Sequence, residues 1–200
     1  MKFLKIAWYL CGTQCLGPGN RFALWVQGCR KHCPECIAEA LQNPEGGQLA
    51  EIDSLVSVIQ NASGIQGITV SGGEPFLQAE ALAELLRKVK NVRPELGVIL
   101  YTGMLYEEWL AEESARLLLQ EIDLLIDGAY LKELDDGKPM RGSSNQRLIF
   151  LTERYHPSDM PSVRTNEFRF SDGTFRLIGI PSQSAKQAVE LFRNPNQTEV

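Results

Sequence analysis

Gly67-Ile-Thr-Val-Ser-Gly-Gly-Glu-Pro-Phe76 is the stretch on which the fold turns. Ile68, Thr69 and Val70 are β-branched, Gly72-Gly73 stops the run, and Pro75 suits the first turn of a helix, so a strand, a tight turn and a helix are expected in that order. Working outward, Gln48 to Ala62 places Leu49, Ile52, Leu55, Val56 and Ile59 at helical spacing. On the other side, Leu77 to Lys90 is amphipathic through Leu82, Leu85, Leu86 and Val89. The same unit recurs further out. Arg21–Gln27 and Gly97–Tyr101 read as strands, Tyr106–Gln120 as a helix and Ile122–Ile126 as a strand. Each strand runs into glycine, at Gly28, Gly72, Gly103 and Gly128.

Strands alternating with helices imply parallel pairing through helical crossovers, hence an α/β sheet or a barrel-like arrangement. In such folds functional groups gather at the C-terminal strand ends, and Cys29, Glu74, Thr102 and Asp127 fall at those ends here. A loop over Lys132–Asn145 leads to a strand over Arg147–Leu151. Phe168 to Ile180 reads as a C-terminal β-hairpin about Asp172-Gly173, and a last helix follows Pro181. The 200 residues read as one domain, with a core over about 17–155 and the hairpin and helix over about 165–194.

The 44% hydrophobic and 22% charged residues are ordinary for a folded chain, and a net charge of −5 offers no electrostatic footprint for nucleic acid or an anionic membrane. The apolar stretch near the N-terminus is brief and broken, and no run approaches the roughly 18 residues of a membrane helix, so a cytoplasmic protein is expected. Five cysteines are an odd number, and three of them, Cys29, Cys33 and Cys36, crowd into one short segment. That spacing suits a metal centre in a reducing compartment better than a disulfide framework.

Thiolates are the usual ligands of iron–sulfur clusters, and one short loop wrapped about a cubane reaches several irons. Three cysteines on a [4Fe–4S] cluster leave the fourth iron open. A zinc site completed by His32 or Cys15 is the alternative, although structural zinc sites normally draw two ligand pairs from separate segments. Such a site would make the chain a zinc-binding interaction module. Cys11 and Cys15 have the spacing of a second pair but read as ordinary cysteines. His32 and His156 read as loop residues.

Cys29-x3-Cys33-x2-Cys36 after one strand, with Gly72-Gly-Glu-Pro75 after the next, resembles the radical S-adenosylmethionine (SAM) superfamily. The resemblance implies a partial (β/α)6-type radical SAM barrel, open on one side. It also implies a [4Fe–4S] cluster on Cys29, Cys33 and Cys36, with SAM chelating the open iron beside Gly72, Gly73 and Glu74. Further motifs narrow it. Gly17-Pro-Gly-Asn-Arg21, Val26-Gln-Gly-Cys29, Ser71 to Phe76, Tyr101-Thr-Gly103, Leu125-Ile-Asp-Gly128 and Arg141-Gly-Ser-Ser-Asn-Gln-Arg147 are similar to the glycyl-radical-enzyme activases. The branch acting on anaerobic ribonucleoside-triphosphate reductase is the nearest in pattern.

The implied reaction is reductive cleavage of SAM to methionine and a 5′-deoxyadenosyl radical, which abstracts hydrogen from a glycine of a larger glycyl radical enzyme. A one-electron donor such as flavodoxin or ferredoxin would supply the reductant. A radical SAM enzyme acting on a small molecule or peptide is the second reading. Where activases often have an aromatic residue after the third cysteine, this chain has Ile37. Thr102 is a candidate for the ribose, or for satisfying backbone at its strand end. Asp127 is a candidate for orienting SAM or peptide, or else a turn-forming Asp-Gly. Arg141, Asn145 and Arg147 offer fork-like and amide hydrogen bonds to a carboxylate or hydroxyl, or else belong to a polar loop.

Overall fold

The computed structural model describes residues 2–171, 173–182, 184, 185, 188 and 189. In chain order the elements are β1 (Phe3–Thr13), β2 (Arg21–Val26), β3 (Gln48–Glu51), α1 (Ile52–Asn61), β4 (Gly67–Gly72), α2 (Ala79–Val92) and β5 (Gly97–Tyr101). There follow α3 (Tyr106–Trp109), α4 (Glu113–Leu119), β6 (Leu124–Asp127), β7 (Arg147–Phe150), β8 (Glu167–Ser171) and β9 (Thr174–Ile178). The sheet order is β3-β1-β2-β4-β5-β6-β7, with β8 and β9 forming a separate hairpin.

Pairing is parallel from β2 through β4 and β5 to β6. It is antiparallel where β1 joins β2 and β3, and where β7 joins β6. The parallel segment thus has four strands rather than the six of the expected barrel unit, and an antiparallel strand on each side keeps the sheet open.

Strand periodicity assigns the two faces. Phe22, Leu24, Val26, Ile68, Val70, Val98 and Leu100 are buried in one cluster with Leu55 and Ile59 of α1, Leu82 and Leu86 of α2, and Leu118 of α4. Each such side chain, fully removed from water, contributes about 1.5–3 kcal/mol, and the helices exist to cover this face. Their intervening neighbours point the other way. Ala23 packs with Leu16 and Ile178 of the hairpin, while Ile99, Leu124 and Ile126 pack with Met140 and Tyr155. One face is therefore roofed by helices, the other by loops and the β8–β9 hairpin.

Arg21 clamps the N-terminal ends of the parallel strands from this second face. It is fully buried and donates to Thr69 Oγ1 (3.1 Å), Tyr155 Oη (2.6 Å), the Ile68 carbonyl (2.6 Å) and the Gly97 carbonyl (2.9 Å). Burial lowers its pKa from the usual guanidinium value. The charge is held by oriented oxygens rather than by a bound carboxylate.

Three local expectations are corrected. The N-terminal segment, read only as a brief apolar stretch, is the 11-residue strand β1. Gln48–Glu51, read as the start of a helix, pairs with Phe3–Ile6 as β3 before α1 begins. The helix expected over Tyr106–Gln120 is two pieces, and Arg116 caps the break by donating to the Leu110 carbonyl at 3.0 Å. The hairpin forms over Glu167–Ile178, whereas the helix expected after Pro181 lies largely outside the described residues.

Candidate functional site

The cysteine loop leaves β2 at Gly28 and returns to the same place. Gly28 N–H donates to the Leu41 carbonyl (2.8 Å) and Cys29 N–H to the Gln42 carbonyl (3.0 Å). Buried Gln27 adds a bond from Nε2 to the Asn43 carbonyl at 2.7 Å. Between these pins the backbone bends through left-handed positions at His32 (φ 46°) and Glu35 (φ 53°), which wraps the segment tightly. Cys29, Cys33 and Cys36 are free and half-buried. All three line a cavity of about 320 Å³ at the C-terminal strand ends, on the face away from the helices.

The second wall is the turn after β4. Gly73 N–H donates to the Val26 carbonyl (2.9 Å) and Glu74 N–H to the Gly28 carbonyl (2.8 Å), so this turn is bonded to the base of the cysteine loop. A side chain on Gly72 would meet the Val26 carbonyl oxygen at 2.3 Å, and one on Gly73 would meet that of Gly28 at 2.1 Å. The glycines therefore serve close backbone contact between β4 and β2.

Glu74 is buried and accepts hydrogen bonds from Thr102 Oγ1 (2.8 Å), Gly103 N–H (2.9 Å) and Phe76 N–H (3.2 Å). Burial raises its carboxyl above the ordinary range, against the pull of Thr102 and Gly103. Thr102 in turn accepts from Met104 N–H (3.1 Å) and Trp109 Nε1 (3.4 Å). The pair is a strut between the β4 and β5 turns, and both residues line the cavity.

Asp127, Asn145 and Arg147 are placed differently. Asp127 is fully buried and accepts from Tyr106 N–H (2.8 Å) and from Arg147 Nε (3.0 Å). Arg147 reaches on to Glu107 at 2.7 Å, and these two carboxylates hold its guanidinium above the usual range. Asn145 Nδ2 donates to the Ala129 carbonyl at 2.8 Å. None of the three belongs to the cavity lining. Asp127 shares the face of Leu125, which packs among the helices, so its side chain turns to α3. Arg141 pairs with Asp136 at 2.5 Å.

His32 Nδ1 stands 3.3 Å from Gln42 Oε1, on the outside of the loop. Among the described residues no three His, Cys, Asp or Glu side chains gather about a single-ion site.

The remaining wall was not legible from motifs. Trp8 of β1 and Trp25 of β2 stack with ring centroids 3.8 Å apart and planes 7° apart, and both line the cavity with Leu16 and Ile37. Leu177 and Ile180 close it from the hairpin side. Trp25 lies on the face opposite Val26, a parity the strand pattern alone contains. Trp8 required knowing that β1 exists.

The residues present fit a [4Fe–4S] cluster. The three free thiols line one cavity and would hold the cluster, and the adjoining surface is aromatic and aliphatic. Burial pushes the Cys33 thiol up.

Residues 15–149 match the family described as a 4Fe-4S single cluster domain. An anaerobic ribonucleoside-triphosphate reductase-activating protein of Enterobacteria phage T4 is 36% identical over 136 residues, which are 66% of this chain and 85% of that protein. Proteins of the same name from Vibrio cholerae and Escherichia coli K12 are 32% and 31% identical over 137 and 138 residues. Each match takes in 65% of this chain, with 87% and 88% of the two relatives. No described helix is long and apolar enough to cross a membrane. With its cysteine loop, its glycine turn and these relatives, the chain belongs to the 4Fe-4S single cluster domain family, among the activating proteins of anaerobic ribonucleotide reductase.

Proposed function

We propose that this chain is a radical SAM activase that installs a glycyl radical on an anaerobic ribonucleoside-triphosphate reductase. One observation carries the reading. Cys29, Cys33 and Cys36 share a single cavity with the Gly72-Gly73-Glu74 turn, and backbone hydrogen bonds tie the two walls together. When bound, a reduced [4Fe–4S] cluster on the three cysteines supplies the electron that cleaves SAM to methionine and a 5′-deoxyadenosyl radical.

The chain's own residues position and shelter. Gly72 and Gly73 set the backbone beside the cysteine loop where the amino end of SAM is received, and Glu74 with Thr102 holds that turn at a fixed height above β5. Trp8, Trp25, Leu16 and Leu177 exclude water from the cavity, which protects a radical from quenching by solvent-borne donors. Asp127, Asn145 and Arg147 act from outside the cavity, bracing the β6 end and the following loop as positioning residues. A flavodoxin or ferredoxin is the matching one-electron donor.

The test is anaerobic reconstitution with iron and sulfide, reduction with SAM, and measurement of 5′-deoxyadenosine from wild type and Cys33→Ala. Product from wild type alone supports the reading, and a glycyl radical signal on added reductase completes it. A colourless protein holding stoichiometric zinc, or cleavage indifferent to Cys33→Ala, overturns it.

A further inference from the structure

Arg164 lies beyond residue 149, where the matched family region ends, in the irregular stretch that leads into β8. Its side chain is 6% exposed and pairs with Asp135 at 2.9 Å. The rest of the guanidinium fork holds backbone. Nε donates to the Lys138 carbonyl (3.1 Å), Nη2 to the Arg141 carbonyl (2.8 Å) and Nη1 to the Pro181 carbonyl (3.3 Å). Asp135, Lys138 and Arg141 belong to the loop between β6 and β7, whereas Pro181 follows the hairpin. One buried cation thus joins two segments from separate parts of the chain.

Both segments wall the cavity. Arg141 precedes Gly142 and Pro181 follows Ile180, and Gly142 and Ile180 line it. Gly142 lies so close to Tyr130, another lining residue, that a Cβ would stand 2.8 Å from the ring. Neighbouring side chains extend the join. Asn166 Nδ2 donates to the Ile180 carbonyl (2.8 Å), and its Oδ1 accepts from Ser182 N–H (3.0 Å). Glu167 accepts from the N–H of Gln14 (2.9 Å), next but one to Leu16 of the cavity wall.

Irregular segments open locally at low cost, and a buried guanidinium stays in place only while oxygens surround it. Closing the roof and satisfying this charge are therefore one event. If the hairpin lifts from the β6–β7 loop, Arg164 loses either the Pro181 carbonyl or the oxygens opposite. We infer that Arg164 is a positioning residue that clasps the roof of the cavity, acting through Gly142, Tyr130 and Ile180 to keep the site closed over its bound cofactor. The inference rests on the activase reading for what the cavity holds, but not for the clasp itself. A fork is required, because its nitrogens serve carbonyls of three different residues, and an ammonium on a flexible stem matches only part of that set.

The experiment compares wild type with Arg164→Ala and Arg164→Lys. Iron per chain after anaerobic reconstitution reports the floor of the site, and melting temperature reports the overall fold. Acrylamide quenching of tryptophan fluorescence in the full-length apoprotein reports the roof, since Trp8 and Trp25 line the cavity while Trp109 stacks on Phe76. SAM affinity is measured by equilibrium dialysis on the reconstituted, unreduced protein. Arg164→Ala should load iron normally and raise the quenching constant about 1.5-fold or more. Its SAM Kd should rise about fivefold or more, as a roof closed about a fifth of the time gives, with Arg164→Lys between it and wild type. Quenching and affinity equal to wild type overturn the clasp. So does a lowered melting temperature with both unchanged, which makes Arg164 a structural residue only. Should Arg164→Ala fail to fold, Arg164→Lys and Asn166→Ala decide by the same two readouts, each expected to rise above wild type. A wild type that loads its cluster yet binds no SAM refutes the activase reading instead, and quenching of the apoprotein still judges the clasp.

Discussion

Gly73→Ala and Gly103→Ala change the same atom count at two turns of one site, and the structure assigns them opposite outcomes. A Cβ at Gly73 would stand 2.1 Å from the Gly28 carbonyl oxygen, 2.7 Å from its carbonyl carbon and 3.0 Å from its nitrogen. All of these are backbone atoms, so no side chain can swing aside, and the β4 turn must separate from the cysteine loop. Separation breaks the bonds Gly73 N–H to Val26 O and Glu74 N–H to Gly28 O. Two lost hydrogen bonds at about 0.5–1.5 kcal/mol each, with overpacking of about 1–3 kcal/mol, give a cost of about 2–6 kcal/mol. It falls on the residue next to Cys29. At Gly103 a Cβ would find the Lys31 side chain at 3.5 Å and Glu74 Oε2 at 3.6 Å, which is ordinary contact. The assay is iron and sulfide per chain after anaerobic reconstitution, alongside urea unfolding of the apoprotein. Gly73→Ala should load less than about a third of the wild-type cluster and Gly103→Ala a near-normal amount. Equal loading by both variants, with equal unfolding midpoints, would show that the contact between turn and loop does not set the cysteine geometry.

The other expectations concern the struts around the site. Arg21→Lys should cost about 3–5 kcal/mol in urea unfolding, because one ammonium cannot reach the four acceptors spread over β4, β5 and Tyr155; a loss below about 1 kcal/mol would contradict the clamp. Glu74→Gln leaves an amide N–H group facing a backbone N–H at Phe76 or Gly103, a cost of about 1–3 kcal/mol. Because burial raises the wild-type carboxyl, the protonated form is favoured in the folded state, so its stabilising contribution is full below the unfolded value of 4.5 and declines as pH rises through the higher folded value. The wild-type advantage over Glu74→Gln should therefore shrink from pH 4 upward, and unfolding series that stay parallel would refute the sign (pH range about 4 to 7). Asp127→Asn should lower the unfolding midpoint while changing the SAM KM less than about threefold, since Asp127 faces Tyr106 and Arg147 rather than the cavity; a KM change above tenfold with stability intact would put Asp127 at the ligand.

The readable part of this chain is the part whose signals are local. Ile68-Thr-Val70 ended by Gly72-Gly73, and the cysteines spaced within one loop, declare themselves within ten residues, and the structure brings both motifs to one cavity. β3 stayed hidden because its pairing with Phe3–Ile6 spans more than forty residues, while Leu49 continues the helical spacing of Ile52 and Leu55 into it. β1 was obscured by its own irregularity. Leu4 and Ile6 alternate as a half-buried strand should, but the irregularities of register beyond Ile6 spoil the period through Thr13. The direction of Asp127 turned on parity, and Leu124-Leu-Ile126 is apolar at every position because both faces of β6 are covered. No pattern of hydrophobicity distinguishes the two faces of such a strand. The tryptophan wall and the hairpin wall depended on long-range packing and were legible only in three dimensions.

The opposite fates of the two faces explain how an open sheet makes a sheltered site. In a closed barrel the interior is walled by strands on every side, whereas here the antiparallel β1 and β7 stop the parallel segment at four strands. Enclosure must come from whatever lies over the second face. Trp8 on Trp25 supplies one side, the loop bearing Tyr130 and Gln146 another, and the hairpin a third. The floor is fixed by a chain of short links between successive strand ends: Gly73 to Val26, Glu74 to Gly28 and to Gly103, and Thr102 N–H to the Ile126 carbonyl at 2.9 Å. Each link joins neighbours in the sheet, so a displacement at β6 reaches Cys29 only through β5 and β4. Rigidity of the cysteine loop is thus a property of the whole row of strand ends. The roof is assembled from separate segments, whereas the floor is linked strand to strand, so the two can be perturbed independently.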